Sequence, residues 1–494
     1  MSSATAGSAN SGFDPANLNT QSITIVPRKL TIVIACDTFP PDINGAARFA
    51  ERLAGGLARR GHDVHIIASA YNEKHGTFRE VHDGAEMTVH RLLSFKLPQH
   101  ETLRWQWPFT ISSEASKIFA QIKPDVVHIQ SHLIMGRFIV RAAKKAGIRV
   151  VATNHIMPEN LIKYSVIIPP FLEAAAMRWA WRDAGRFFRK VDAVTTPTRR
   201  AAELLEAATG LTGVLAISCG IDASKFKNAT PPTNKPPRIL FLGRLDYEKH
   251  IHNLLRAVAK LPAELGVQVE LVGKGGEQQY LEELASELGI RDQVLFYGHI
   301  TEEELPKAYE RATVFAMPSI AELQSIATME AMASGRPVVA ADAMALPHLV
   351  HDGDNGYLFP PDDVDAFADR LKRVLTADAD ELERLSENSL FLIKSHDIQR
   401  TLAIFEKLYI GTETVEFSDD NLPEYSMPIG RLSDNFHDQI VTFRKRRDAM
   451  VDRVEEATDD LRERFDEMRL AAKKMDRRVR AAVRKARKRI QRER

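Results

Sequence analysis

The chain has 494 residues, 44% of them hydrophobic and 27% charged, which is longer than one hydrophobic core ordinarily supports and implies two domains with appendages. Two cysteines, Cys36 and Cys219, exclude a disulfide framework and point to a reducing, cytoplasmic compartment, and no apolar run approaches the ~20 residues needed to span a bilayer. The net charge of +1 conceals an acidic body and a basic end: residues 471–494 hold 12 Lys/Arg against Asp476 and Glu493, so with +10 there the remaining chain carries −9.

Residues 1–27 read as a disordered leader, since they are rich in Ser, Ala, Asn and Thr and lack the apolar region of a signal peptide. From Leu30 onward, short β-branched runs alternate with helical stretches. Strands are expected at 30–35, 63–68, 125–129, 149–153 and 193–196, and the first helix runs from 46 to 60 and stops at Gly61. A Pro-rich stretch at 231–237 reads as a linker or surface turn, after which strands recur at 238–242, 268–272, 293–297, 314–316 and 337–341. Strands separated by helices of this length form parallel sheets covered on both faces. The expected architecture is therefore α/β, with two Rossmann-like doubly wound domains at 28–218 and 219–394 facing a cleft. The helix at 395–411 should pack back on the first domain. Residues 412–433, acidic and containing Pro423 and Pro428, read as a linker. Residues 434–494 contain neither Pro nor Gly and carry a narrow apolar stripe through Met450, Val454, Ala457 and Leu461 to Ile490, the pattern of one long helix.

Chemistry concentrates between Pro318 and Ala340, where Glu322 and Glu330 stand eight residues apart. Residues 323–327 form a loop entering a helix that ends at Gly335. Backbone N–H groups at such a helix start favour an anion such as a diphosphate. A carboxylate, which only accepts hydrogen bonds, suits sugar or ribose hydroxyls. On spacing alone, two solvated helix carboxylates remain the commoner outcome.

The E-x7-E pattern, with Ala331-Met-Ala333 and Gly335-Arg-Pro-Val-Val-Ala340 behind it, resembles the donor signature of retaining GT-B glycosyltransferases of the family-4 (group 1) type. Phe241-Leu-Gly-Arg-Leu-Asp-Tyr-Glu-Lys249 resembles the family's G-R-x-x-x-x-K segment, and Leu271-Val-Gly-Lys-Gly-Gly276 its second glycine turn. Asp37 to Gly45, Pro124 to His128 and Ala152-Thr-Asn-His155 resemble segments of its N-terminal domain, so the likeness covers about residues 28–410. The resemblance implies a nucleotide-sugar donor whose diphosphate is held by Arg244 and Lys249, with Gly45, Gly243 and Gly273 allowing close backbone approach. It implies that Glu330 accepts from the ribose and Glu322 contacts the transferred sugar. Backbone at Leu323, Gln324, Ser325 and Ile326 meets phosphates and sugar, and His155 faces the sugar. Asn44 and Gly45 lie near phosphates or acceptor. His155, Glu322, Arg244 and Lys249 are the implied catalytic set. The family scheme retains configuration without a protein nucleophile and needs neither metal nor cofactor. The metal-like pairs Asp378/Asp380 and Asp363/Asp365 read instead as helix caps. Leu323-Gln324-Ser325 stands where many relatives have small or aromatic residues, a variant similar to relatives that glycosylate lipids.

Two segments suit an anionic membrane surface. The basic end includes Arg484, Lys485 and Lys488, and 169–190 mixes aromatic with cationic side chains, including Trp179, Trp181 and Arg182. For 169–190 the alternative is a core-packing helix. For the tail it is a coiled coil giving a homo-oligomer or holding a partner; nucleic acid is disfavoured because no aromatic platform accompanies the charge. These readings add up to transfer of a hexose from a UDP- or GDP-sugar, UDP-glucose favoured, to a lipid acceptor such as diacylglycerol or a glycolipid at the inner face of the cell membrane. The alternatives are a soluble sugar or polysaccharide acceptor, or a nucleotide-sugar epimerase.

Overall fold

The computed structural model describes residues 28–42, 44–71, 74–96, 104–156, 173–226 and 236–411. The leader, most of the Pro-rich stretch, the 412–433 linker and the 434–494 helix with Arg484, Lys485 and Lys488 lie outside the described residues.

The first sheet has eight strands in the order Leu215–Ala216, Ala193–Thr196, Arg149–Thr153, Val126–Ile129, Thr31–Cys36, Asp63–Ser69, Ala85–Leu92 and Gly76–His82. All neighbours are parallel except the last pair, an antiparallel hairpin closed at Asp83 (φ 45°) and Gly84 (φ 74°). An Asp-Gly pair supplies the two positive φ angles that a tight hairpin turn demands. The second sheet runs Val294–Gly298, Gln268–Val272, Arg238–Leu242, Val314–Met317, Val338–Ala341 and Gly356–Phe359, parallel throughout. The strands Val314–Met317 and Val338–Ala341 are apolar and buried along their whole length because helices cover both faces, whereas Gln268–Val272 carries a buried Glu270 that Arg238 and Arg311 neutralise at 2.5 and 2.7 Å. Strand order reverses between Thr31–Cys36 and Val126–Ile129 in the first sheet, and between Arg238–Leu242 and Val314–Met317 in the second. Ligands of open α/β sheets bind outside the carboxyl ends of such strands.

The caps follow the sequence. Asn44 accepts from the Ala47 N–H at 2.9 Å to start the helix Gly45–Arg59. Asp363 and Asp378 accept from Ala366 and Glu381, each at 2.9 Å, so both residues cap helices. The chain passes from the first sheet to the second through 217–221 and comes back alongside: the Ile221 N–H reaches the His396 carbonyl at 2.8 Å, and the Ile398 N–H reaches the Ile221 carbonyl at 3.0 Å. The helix Ile398–Ile410 then lies on the first sheet's side. Its Phe405 ring sits 5.9 Å from Phe49, and its Tyr409 hydroxyl is 2.7 Å from His128 Nδ1. Its Glu406 is 1% exposed and is met by Arg60 at 2.7 Å and His62 at 2.9 Å. Burial alone would raise that carboxyl's pKa, but these two partners outweigh it and hold it below its ordinary value.

Candidate active site

The buried strand Arg238–Leu242 delivers Gly243 and Arg244 to the switch point of the second sheet. Gly273, with φ 135°, closes the neighbouring strand so tightly that a Cβ there would lie 1.9 Å from the Gly243 carbonyl oxygen. Only a residue without a side chain lets these two turns stack. Arg244 emerges from the stack 48% exposed, paired with Asp246 and, at 2.8 Å, with Glu248. The Glu248 carbonyl in turn accepts from Ile320 N–H at 3.2 Å and Ser319 Oγ at 3.3 Å, which fixes the 244–249 loop against the segment leading to the second carboxylate motif. Across that junction the Lys249 ammonium pairs with Glu322, the two side chains 17% and 11% exposed. Three residues on, Ser325 caps the helix Ile326–Ala333, its hydroxyl accepting from Thr328 N–H at 3.3 Å and Thr328 Oγ1 at 2.8 Å. A cation, a carboxylate and a helix start thus converge where the sheet reverses, an arrangement suited to an anion bonded to a polyol.

The second carboxylate is not free. Glu330, 3% exposed, takes Arg52 at 2.6 Å on one oxygen and the Tyr309 hydroxyl at 3.1 Å on the other. Arg52 belongs to the helix Gly45–Arg59 of the first domain, so this ion pair joins the two domains. At the start of the same helix, a Cβ on Gly45 would be 4.0 Å from Ile326 Cδ1, which brings the first-domain helix start to the start of Ile326–Ala333. Thr198 Oγ1 donates to the Leu323 carbonyl at 2.9 Å, another bond between the domains. Gln324 has its side chain committed elsewhere: Oε1 accepts from Cys219 N–H at 2.7 Å and Nε2 donates to Ser218 Oγ at 3.0 Å. That amide ties the 323–325 segment to the crossing between the sheets, so the Gln324 side chain is already committed within the protein.

On the first domain, His155 follows the strand Arg149–Thr153, its Nε2 2.9 Å from Gln130 Oε1 and its ring 5.0 Å from Phe49. Burial pushes its pKa down to about 4, so the imidazole is neutral near pH 7. Asn44 spends its side-chain oxygen on the Ala47 cap and on Thr38 Oγ1 at 3.3 Å. Of the aromatic helix Glu173–Phe188, Trp179 is 64% exposed and Arg182 is exposed. Trp181 is not a surface contact: it is 9% exposed and packs in the first-domain core with Ala184, Phe187 and Phe188. Helical spacing sends 177, 181, 184 and 188 inward together while 179 turns outward. A second exposed aromatic row went unsuspected. Trp105, Trp107 and Phe109 are 37%, 49% and 70% exposed, with adjacent ring centroids 6.2 and 5.9 Å apart. Between them Gln106 is buried and donates to Ser69 Oγ at 3.1 Å, and Ser69 donates to the Asp37 carbonyl at 3.2 Å. The row therefore sits at the carboxyl ends of the first sheet's strands. Arg52 and Tyr309 were also missed. The one signal for Arg52 is a charge on the buried face of a helix otherwise lined by Phe49, Leu53 and Leu57.

Known proteins match this arrangement. The family model described as Glycosyltransferase Family 4 matches residues 43–225, and the one described as Glycosyl transferases group 1 matches 222–390, so the two meet at the crossing between the sheets. Alpha-monoglucosyldiacylglycerol synthase of Streptococcus pneumoniae is 27% identical over 347 residues, 67% of this chain and 75% of that protein. The GDP-mannose-dependent alpha-mannosyltransferase of Mycobacterium tuberculosis is 28% identical over 339 residues, 67% of this chain and 83% of its own length. Sucrose-phosphate synthase from Thermosynechococcus elongatus shares the fold, with a TM-score of 0.64 at 21% identity over 78% of this chain and 98% of that one.

Proposed function

The chain belongs to the group 1, family-4 glycosyltransferases and has their GT-B fold, and on that premise we propose that it moves a hexose from a UDP- or GDP-sugar, UDP-glucose ahead of GDP-mannose, to a lipid hydroxyl with retention of configuration. The observation that carries this reading is the Lys249–Glu322 pair at the switch point of the second sheet, beside Arg244 and the capped start of Ile326–Ala333. A nucleoside diphosphate gains negative charge as the sugar departs. Fixed cations and backbone N–H groups aimed at that charge stabilise the transition state more than the ground state. Lys249 offers a point charge that the diphosphate and Glu322 can share; Arg244 offers a planar fork for phosphate oxygens. Glu322, kept next to an ammonium, serves as an acceptor for sugar hydroxyls, and Glu330 as an acceptor for the ribose. In the step itself the acceptor oxygen bonds to the anomeric carbon on the face from which the diphosphate oxygen leaves, and that phosphate oxygen takes the acceptor proton. His155, neutral and hydrogen-bonded to Gln130, positions the sugar without exchanging a proton. No metal and no cofactor enters the scheme.

The lipid half of the proposal is supported by the name of the pneumococcal relative, by the exposed Trp105, Trp107, Phe109 and Trp179, and by the basic end of the chain. Tryptophan suits the headgroup region, and each Lys/Arg near an anionic surface adds about 1 kcal/mol of attraction before screening by salt. Among the described residues no helix is long and apolar enough to cross a membrane. The proposed contact is peripheral, on the cytoplasmic face. Incubation with UDP-glucose or GDP-mannose and anionic vesicles containing diacylglycerol, followed by lipid extraction and proton NMR of the anomeric position, tests it. An α-linked glycolipid is the expected product. A β-linked product would contradict retention, a sugar isomer formed without any acceptor would indicate an epimerase, and a glycosylated soluble acceptor with no lipid product would contradict the acceptor.

A further inference from the structure

We infer that Arg52 is a positioning residue for donor recognition: it holds the Glu330 carboxylate from the opposite domain, so that the grip on the ribose diol is complete only when the two domains are apposed. The inference rests on the assignment of Glu330 to the ribose made above.

Arg52 sits seven residues into the helix Gly45–Arg59, and its guanidinium is 8% exposed. One terminal nitrogen donates to Glu330 Oε1 at 2.6 Å; the other, Nη1, is buried with no hydrogen-bond partner among the described residues. Burying a guanidinium disfavours its charge, but the Glu330 carboxylate outweighs that penalty and holds its pKa above the ordinary value. The influence of Glu330 reaches one turn back as well: burial lowers the pKa of Arg48, and Glu330 opposes that shift. A buried ion pair of this kind seldom adds net stability over an apolar pair of the same shape. Its presence at a domain junction, with a donor left over, points to a task in orientation.

The arithmetic of lone pairs supports that task. An ionised carboxylate has about four acceptor positions. Arg52 takes one on Oε1, and the Tyr309 hydroxyl, whose single proton is shared with the Ala327 carbonyl at 3.0 Å, takes another on Oε2 at 3.1 Å. About two remain, which matches the two adjacent hydroxyls of a ribose. Rotation of the carboxylate about its last bond is restrained mainly by Arg52 and secondarily by the shared Tyr309 proton, so the remaining positions keep their direction only while Arg52 is in place. Arg52 supplies its half of the clamp across the domain boundary, whereas Tyr309 supplies its half from within the second domain. The ligand class this arrangement selects is a ribonucleoside diphosphate, discriminated from its 2′-deoxy counterpart.

The test is donor kinetics of the full chain with the ribonucleotide sugar and its 2′-deoxy analogue, in wild type, Arg52→Gln and Glu330→Gln. Wild type should favour the ribo donor, and Arg52→Gln should raise KM for it by about 10- to 100-fold. The variant's KM for the deoxy analogue should stay near the wild-type value, so that discrimination collapses, while kcat changes little. Glu330→Gln should lose the discrimination too. If Arg52→Gln keeps the wild-type ribo-to-deoxy ratio while Glu330→Gln loses it, Arg52 is merely structural and the inference falls, with the ribose assignment intact. If wild type does not discriminate at all, the ribose assignment falls and takes the inference with it. Should Arg52→Gln fail to fold, the same ratio is read on Arg52→Lys. Its point charge should cost about threefold in discrimination or more, and an unchanged ratio there overturns the inference equally.

Discussion

The two walls of the site work by different physics. The second domain presents charge: Arg244 and Lys249 come from one loop, and Glu322 and Glu330 flank a capped helix start. Apart from the Arg52 guanidinium, which is spent on Glu330, the first domain presents neutral groups, with His155 Nε2 2.9 Å from Gln130 Oε1. At the same sheet edge lies the exposed row Trp105, Trp107 and Phe109. The difference teaches which half answers to which substrate. A diphosphate needs fixed charge that costs no reorganisation during the reaction. The proposed lipid hydroxyl would need shape, a dry surface and groups that do not ionise there.

That division can be broken or sharpened by substitution. The largest effect belongs to the charged wall: Lys249→Ala should lower kcat/KM for the donor by about 100- to 1000-fold, read by nucleotide release, and added salt should not restore it. On the neutral wall, Trp105→Ser with Trp107→Ser should weaken sedimentation with anionic vesicles by about tenfold and leave nucleotide-diphosphate affinity unchanged. Equal loss of both would mean that the two walls are not separable.

Buried neutral histidines, in and beyond that wall, should also set the acid limit of the fold. Burial lowers the pKa of His90, His132, His155 and His396 to about 4, and of His128 to about 3, against an ordinary 6.5. Each is neutral in the fold, whereas the unfolded chain takes up the proton near 6.5. Below that pH the unfolded state binds more protons, so stability present above about pH 6.5 is lost progressively as pH falls toward about 4. The loss is of order 1 kcal/mol per histidine by about pH 5.5. A thermal-unfolding series from pH 7.5 to 4.5 should show Tm falling along that slope, and a flat profile would contradict it. The smallest effect is expected at the surface of the charged wall. Asp246→Asn frees one partner of a half-exposed Arg244 and should change donor KM by only about threefold, because exposed ion pairs are worth little.

Much of the architecture was legible from the strand-and-helix alternation, because buried parallel strands are continuous apolar runs with glycine or proline punctuation. The hairpin at 76–92 was overlooked although its Asp83-Gly84 turn is a strong local signal. In the site, Glu322, Glu330, Arg244 and Lys249 could be singled out from spacing and resemblance, since the groups that bring them together are themselves local: a glycine turn, a cap, a strand end. Arg52 and Tyr309 could not, and Gln324 could be named without the partners its side chain takes. Their partners lie 278, 21 and 105 residues away, and only packing decides which long side chain reaches which carboxylate or backbone group. Trp181 shows the converse, because composition groups it with Trp179, yet a two-residue step on a helix sends one inward and the other out.

The most direct test of the electrostatic donor wall is nucleotide release by Lys249→Ala/Glu330→Gln beside wild type, with the preferred nucleotide sugar and diacylglycerol vesicles. A fall of about a thousandfold or more, with the fold intact by circular dichroism, is the predicted result. Full activity in the double variant would contradict the assignment of the donor site to the second domain's charged wall.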